Sequence, residues 1–176
     1  MKPQIIGLGY QARAGKDTVA AMLGVHGYTR ISFGDQIKKV ASILCNEDAF
    51  APGFKESTTI YGMTGGQLLQ NMGTGMHAIV NPTVWISMSG LHARSFTGEL
   101  LVVSDVRFIL EARMIRDLGG TLIKVERPGL PNDNHVSETQ GRLIEWDHVI
   151  NNSGTLDDLS ASVDRLMQSL AERASA

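Results

Sequence analysis

The feature that most constrains the fold of this chain is a glycine-containing loop between an apolar run and a helical pattern. Residues 4–8 form a short apolar run that predicts a buried strand. After the loop, Val19, Met22 and Leu23 recur at helical spacing. The sequence Gly-Lys-Asp-Thr at residues 15–18 therefore lies where a strand ends and a helix begins, which is the context that a phosphate-binding loop requires.

The residue types of this loop suit the phosphates of a nucleoside triphosphate. Backbone N–H groups of the loop and of the helix N-terminus form a cradle for anions. Lys16 can reach phosphate oxygens, and the Thr18 hydroxyl can ligate Mg²⁺. We therefore predict that the triphosphate is bound by Ala12, Arg13, Ala14, Gly15, Lys16, Asp17 and Thr18.

The loop departs from the usual phosphate-loop pattern at two positions. Tyr10 stands where a first glycine is usual, five residues before Gly15, and Asp17 stands where Ser or Thr is common. Either the loop is one residue longer or it tolerates Tyr10, and in both cases the hydroxyl ligand moves to Thr18. The alternative interpretation is a plain glycine turn, in which Lys16 is a solvated residue of the first helical turn.

The rest of the chain alternates between apolar strand-like runs and helical patterns. Because continuously apolar strands that alternate with helices are covered on both faces, we predict an α/β fold with a parallel sheet of about five strands. The predicted strands lie at 4–8, 28–33, 100–103, 121–125 and around 149–150. The predicted helices lie at 17–23, 34–44, 64–72, 82–91, 108–118 and from 155 onward.

Two segments interrupt this alternation. Residues 46–93 form an excursion that begins with a loop broken by proline and glycine and continues with helices, one of which has Thr64 and Gln67 in capping-box positions. Within it we expect Trp85 to be a core residue. Residues 127–145 form a second aperiodic stretch, rich in Pro, Gly, Asn and His.

Charged residues follow the predicted strand at 100–103. Ligands of such sheets bind beyond the carboxyl ends of the strands, so Asp105 and Arg107 are candidate site residues. Asp105 is suited to orienting the water shell of a metal ion, and its alternative role is to cap the next helix. Arg107 is suited to bidentate capture of a phosphate, and its alternative role is a surface salt bridge.

Composition excludes several classes of function. Sixteen basic and 18 acidic residues give a net charge of −2, and the basic residues are scattered, so we expect no binding of a nucleic-acid polymer. A single cysteine excludes an intramolecular disulfide and a cysteine-only zinc site. No run approaches the roughly 20 apolar residues that cross a bilayer, so we expect no membrane role and predict a cytoplasmic protein.

Short motifs in the second half of the chain follow one another in a distinctive order. They are Val-Ser-Asp-Val-Arg-Phe at 103–108, Glu-Ala at 111–112, Gly-Gly at 119–120, Val-Glu-Arg-Pro-Gly at 125–129, His-Val-Ser-Glu at 135–138 and Val-Ile-Asn-Asn at 149–152. Together with the first loop and with residues 68–74, this order resembles the bacteriophage deoxynucleoside monophosphate kinase family. That family belongs to the P-loop nucleoside monophosphate kinases, and the resemblance covers most of the chain.

The resemblance implies one P-loop kinase domain over residues 1–176, with 46–93 as an acceptor-binding excursion and 127–145 as a lid. It implies transfer of the γ-phosphoryl group of ATP to a deoxynucleoside monophosphate, with Mg²⁺ as cofactor and small nucleotides as partners. If the source is viral, the location is the host cytoplasm, and the sequence leaves a homodimer open.

The resemblance also implies roles for individual residues. The acceptor-binding residues are Asp35, Lys38, Gln70, Thr74 and Arg107. The lid residues are Arg127, His135, Glu138 and Arg142. The catalytic residues are Lys16, Arg107 and Arg127, and the metal residues are Thr18 and, through water, Asp105.

Two other functions remain open at the level of sequence. The first is a P-loop kinase for another small phosphorylated metabolite, because these loops and arginines bind phosphate without recognising a base. The second is a nucleotide-binding regulatory module that is not a kinase, against which Lys38 and Arg107 argue. Base preference and the exclusion of ribose are not determined by the sequence.

Overall fold

A parallel sheet organises the chain in the computed structural model, which describes residues 4–130 and 136–173, apart from the side chains of 93, 136–138 and 173. Five strands of the described residues pair in the order β2-β3-β1-β4-β5, and every pair is parallel. They are β1 (Ile5–Gly9), β2 (Thr29–Ile31), β3 (Leu101–Val106), β4 (Thr121–Glu126) and β5 (His148–Asn151). The predicted α/β class and five-stranded parallel sheet are confirmed.

Helices connect the strands. They are α1 (Lys16–Val25), α2 (Phe33–Cys45), α3 (Gly65–Ile79), α4 (Val84–Ser89), α5 (Leu91–Ser95), α6 (Ile109–Asp117), α7 (Val136–Leu143) and α8 (Leu156–Arg173). The described residues form two compact units. The first, here called the sheet unit, is drawn from 1–31 and 91–176, and the second, the helical unit, is Ser32–Gly90.

The core of the sheet unit explains why its strands are continuously apolar. On one face, strand residues such as Leu8, Val102 and Ile123 pack in one cluster with Leu23 of α1 and Val163 of α8. On the other face, α6 packs against β1 and β4. A Cβ added to Gly7 would lie 2.8 Å from the Ile115 side chain of α6, so glycine allows this helix to approach closely. Both faces are covered, which matches the predicted arrangement.

The helical unit has its own core, built from α2, α3 and α4. Trp85 is 1% exposed, and its indole N–H donates to the carbonyl of Gly73 at 3.1 Å, which confirms it as a core residue. At the start of α3, the Thr64 hydroxyl accepts from the backbone N–H of Gln67, and the Gln67 side chain accepts from the N–H of Thr64. The predicted capping box is confirmed, and α3 extends to Ile79, beyond the predicted end.

Other element boundaries also differ from those predicted. The predicted helix at 82–91 is replaced by α4 and α5, with Gly90 between them at φ 70. Strand β3 continues to Val106, so Asp105 lies inside the strand rather than after it. The segment 127–145 is not aperiodic throughout, because it contains α7. The sequence of α7 has no clear apolar stripe, so periodicity alone did not reveal it.

No helix within the described ranges is long and apolar enough to cross a membrane.

Candidate active site

The loop between β1 and α1 turns through left-handed backbone at several positions. Tyr10 has φ 93, Arg13 has φ 63 and Gly15, the N-cap of α1, has φ 98. Helix α1 begins directly after Gly15, at Lys16, and Tyr10 adopts the conformation that a glycine would supply. Of the two alternatives left by the sequence, this geometry favours the loop that keeps the usual phosphate-loop spacing and tolerates Tyr10.

Lys16 is buried in this loop. The residue is 8% exposed, and its Nζ donates to the carbonyl of Gln11 and, at 3.5 Å, to that of Tyr10. The ammonium thus lies against the loop backbone at the start of α1. The interpretation of Lys16 as a solvated helix residue is wrong, because a solvated lysine would extend its ammonium into water.

Asn152, which follows β5 near the other end of the sequence, is hydrogen-bonded to the loop. Its side-chain amide donates to the carbonyl of Ala14 at 2.9 Å, and its backbone N–H donates to Glu126 at 2.7 Å. A Cβ on Gly15 would overlap the Asn152 amide nitrogen. Sequence reasoning gave Asn152 no role in the site, although its place just after an apolar strand was a signal that could have found it.

The other loop residues are more open. Ala12, Arg13 and Asp17 are exposed, whereas Ala14 is buried and Thr18 is half-buried in the first turn of α1. The Asp17 carboxylate lies 3.5 Å from Arg30 of β2. The assignment of this group of residues to triphosphate binding stays a prediction.

Asp105 lies in a bulge of β3. Gly7 pairs with Val103 and Gly9 pairs with Val106, so β3 has one more residue than β1 across this interval. Bulges of this kind re-aim side chains and are common beside active sites. Asp105 is half-buried there, close to the end of the strand.

Glu111 is a buried carboxyl beside this strand end that the sequence did not single out as a site residue. It is 3% exposed, and its Oε2 accepts from the backbone N–H groups of Arg107 at 2.7 Å and Phe108 at 3.0 Å. Burial raises the pKa of Glu111 to about 8, the charge of Asp105 acts in the same direction, and the two N–H donors oppose it. Glu111 therefore fixes the backbone that carries the exposed Arg107.

Arg127, the first of the predicted lid residues, is exposed directly after β4. Arg142 is exposed in the last turn of α7. Glu138 belongs to α7, but its side chain is outside the described part of the chain. His135 lies outside the described residues altogether.

Helix α7 contacts the start of α6, and Trp146, which lies beyond the helix, contacts both α7 and the end of β1. The Gln140 side chain accepts from the backbone N–H of Ile109 at 3.3 Å. The indole N–H of Trp146 donates to the carbonyl of Gly141 at 3.3 Å, and the ring of Trp146 occupies the space that a Cβ on Gly9 would need. These contacts explain how a helix without a clear apolar stripe is held.

The helical unit carries the other predicted acceptor-binding residues. The backbone N–H of Asp35 donates to the Ser32 hydroxyl at 3.3 Å, which caps α2. Lys38 is half-buried, with Nζ 5.0 Å from the centre of the Phe50 ring. On α3, Gln70 is exposed, and the Thr74 hydroxyl donates to its carbonyl at 3.0 Å.

These four residues form two pairs. Asp35 and Lys38 are three positions apart on α2, whereas Gln70 and Thr74 are four apart on α3, so each pair shares one face of its helix. Their roles toward an acceptor stay predictions.

Comparisons by sequence find relatives of this chain among the deoxynucleotide monophosphate kinases. A family model described as deoxynucleotide monophosphate kinase matches residues 55–163. A protein of Acanthamoeba polyphaga mimivirus that is assigned by name to the deoxynucleotide monophosphate kinases is 31% identical over 183 residues, which cover 90% of this chain and 93% of that protein. The deoxynucleotide monophosphate kinase of Escherichia phage RB69 is 28% identical over 107 residues, which cover 58% of this chain and 44% of that protein.

A solved structure supports the fold. The dephospho-CoA kinase of Campylobacter jejuni superposes with a TM-score of 0.59 over 97% of this chain and 98% of that chain, at 12% identity. At that identity the likeness shows the fold alone, and it confirms the P-loop kinase architecture. On the family match and the nearly full-length alignment with the mimivirus protein, this chain belongs to the deoxynucleotide monophosphate kinase family.

Proposed function

We propose that this chain transfers the γ-phosphoryl group of ATP to the phosphate of a deoxynucleoside monophosphate, giving the diphosphate and ADP. The observation that carries the proposal is the phosphate loop with a buried Lys16, in a chain whose family and fold are those of kinases. The names of the viral relatives support the deoxynucleotide as acceptor.

The donor phosphates bind to the loop and to Lys16. The start of α1 offers backbone N–H groups that have no partner within the helix, and these attract anions. Because Lys16 is buried, little water screens its charge, so its attraction to a phosphate is stronger than that of a surface lysine. Asn152 keeps the loop in the shape that binding needs through its bond to Ala14.

Mg²⁺ fits the residues beside the loop. Thr18 supplies a hydroxyl and Asp105 a carboxylate, and Mg²⁺ prefers such oxygen ligands while retaining water and substrate phosphates. Within the described residues, no group of three or more His, Cys, Asp or Glu side chains could hold a metal by itself, and a Mg²⁺ held largely by phosphates and water needs none. Bound Mg²⁺ neutralises charge on the phosphates.

The acceptor phosphate is captured by cations. We assign Lys38 and Arg107 to this phosphate, and Asp35, Gln70 and Thr74 to polar contacts with the nucleoside. The acceptor is already an anion, so the reaction needs no strong general base, and alignment and charge stabilisation supply the catalysis.

The lid excludes water, which would otherwise compete as the nucleophile. We assign this role to residues 127–145. Arg127 and Arg142 are both available to stabilise the transferring phosphoryl group, and we assign His135 and Glu138 to hydrogen bonds within the closed lid. We also place the protein in the cytoplasm, in keeping with its viral relatives.

Turnover measurements test this function. ADP release is measured with each of the four deoxynucleoside monophosphates, their ribose counterparts and small phosphorylated metabolites. Stimulation by a deoxynucleotide supports the proposal, and stimulation only by a non-nucleotide acceptor supports the second kinase hypothesis. Slow ATP loss that no acceptor accelerates supports a regulatory module.

Lys16→Ala lowers kcat by about 100-fold or more, because the charge acts in the transition state. Thermal unfolding of the variant is the control, and we expect it to show that the fold is retained. Near-normal turnover would show that Lys16 is not catalytic.

Arg107→Ala raises the KM of the acceptor about tenfold or more and leaves the Kd of ATP unchanged, because the arginine contacts the phosphate of the acceptor and not that of ATP. Arg113→Ala, at another exposed arginine just beyond it on α6, is the matched control and leaves both constants unchanged. Equal losses of ATP and acceptor affinity would contradict the assignment of Arg107.

A further inference from the structure

Tyr10 carries backbone strain within the phosphate loop. It occupies the first-glycine position at φ 93, in the region that side chains rarely adopt. Strained residues of this kind persist only where their surroundings hold them in place. The contacts of the Tyr10 side chain therefore bear on the shape of the loop.

Lys124 of β4 supplies such a contact. Its Nζ lies 4.1 Å from the centre of the Tyr10 ring, at a distance that gives a cation–π interaction. Lys124 pairs with Gly9 in the sheet, directly before Tyr10, so its position is set by the strand. The Lys124 side chain is 23% exposed and forms an ion pair with Glu126, two residues further along the same face of β4.

The same loop backbone holds Lys16. The Lys16 ammonium donates to the carbonyl of Tyr10 itself and to that of Gln11, the next residue. A change in the backbone of Tyr10 therefore moves the acceptors that orient Lys16. This gives a physical route from Lys124 to the phosphate-binding ammonium.

We propose that Lys124 is a positioning residue for phosphoryl transfer. By holding the Tyr10 ring, Lys124 keeps the loop in its left-handed conformation and thereby places Lys16, without touching ATP itself. The inference rests on the proposed function, because it takes Lys16 as the group that binds the donor phosphates.

The test is the affinity of the full chain for Mg-ATP, measured by calorimetry with no acceptor present. Lys124→Met keeps the length of the side chain and removes its charge, and it raises the Kd about tenfold. Lys124→Arg keeps a cation over the ring and restores the Kd to within about twofold of the original. Tyr10→Leu removes the ring, keeps the strain, and raises the Kd as Lys124→Met does.

The decisive comparison uses Tyr10→Gly, which removes both the strain and the ring. In this background, Lys124→Met changes the Kd by less than about twofold, since Lys124 no longer has a strained residue to hold. An equal rise in Kd with and without Tyr10→Gly would show that Lys124 affects ATP binding independently of Tyr10, and the proposal would be wrong. An unchanged Kd for Lys124→Met in the original chain would also overturn it.

A split in kinetic constants separates positioning from a general loss of structure. Lys124→Met raises the KM of ATP and leaves the KM of the acceptor unchanged, whereas a general structural defect raises both. If the original chain binds ATP but phosphorylates no deoxynucleotide, the proposed function fails while the binding test of Lys124 still stands. If Lys124→Met does not fold, Tyr10→Leu carries the same comparison.

Discussion

Replacing Gly15 by alanine tests whether the phosphate loop depends on a left-handed backbone and on Asn152. Gly15 is the N-cap of α1 at φ 98, and an added Cβ would overlap the Asn152 amide nitrogen. That nitrogen donates to the carbonyl of Ala14 at 2.9 Å. The amide is the far end of a flexible side chain, so it can move aside, and the hydrogen bond is then lost.

The expected loss of stability has two parts. A side chain in the left-handed region costs about 1–2 kcal/mol relative to glycine. Loss of the hydrogen bond from Asn152 to Ala14 costs about 1 kcal/mol. Gly15→Ala therefore lowers the free energy of unfolding by about 2–3 kcal/mol.

Urea unfolding followed by circular dichroism measures this loss. Gly24→Ala is the matched control, because Gly24 lies within α1 and an added Cβ meets no atom within 4 Å. It raises the free energy of unfolding by about 0.5–1 kcal/mol, since alanine favours a helix. Asn152→Ala isolates the hydrogen-bond part, about 1 kcal/mol. A Gly15→Ala chain within about 0.5 kcal/mol of the original would refute the reasoning.

Three further substitutions test other parts of the fold by urea unfolding. The pKa of Glu111 is raised from 4.5 to about 8, so its contribution to the free energy of unfolding is fully present below about pH 4.5 and is lost as the pH rises through 8. The loss is at most about 1.4 kcal/mol per pH unit. Glu111→Gln removes this pH dependence, and an identical slope in both chains would contradict the burial argument. Thr64→Ala breaks the capping box and lowers the free energy of unfolding by about 1 kcal/mol, whereas Thr64→Ser keeps the hydroxyl and most of the stability. Equal losses in the two variants would rule out a capping role. Trp85→Phe removes the indole donor to the Gly73 carbonyl and creates a cavity, so it lowers the free energy of unfolding by about 1–3 kcal/mol. An unchanged unfolding midpoint would argue against this packing.

The local sequence was sufficient to predict the elements and the main loop. The apolar run of β1, the Gly-Lys-Asp-Thr sequence and the helical spacing of α1 lie within 20 residues, and each depends on the period of its own element. The capping pair of Thr64 and Gln67 was predictable for the same reason, because capping joins residues three positions apart. The parallel sheet followed from the alternation of strands and helices.

Tertiary structure decided how the site is held. Asn152 bonds to Ala14 across 138 positions of the chain, and Lys124 meets Tyr10 only because β4 lies beside β1 in the sheet. The burial of Glu111 and the bulge at Asp105 likewise depend on neighbours that are distant in sequence or on strand pairing. A periodic pattern describes which face of an element is apolar, whereas strain, pKa and the orientation of a charge depend on the atoms that other elements bring to that face.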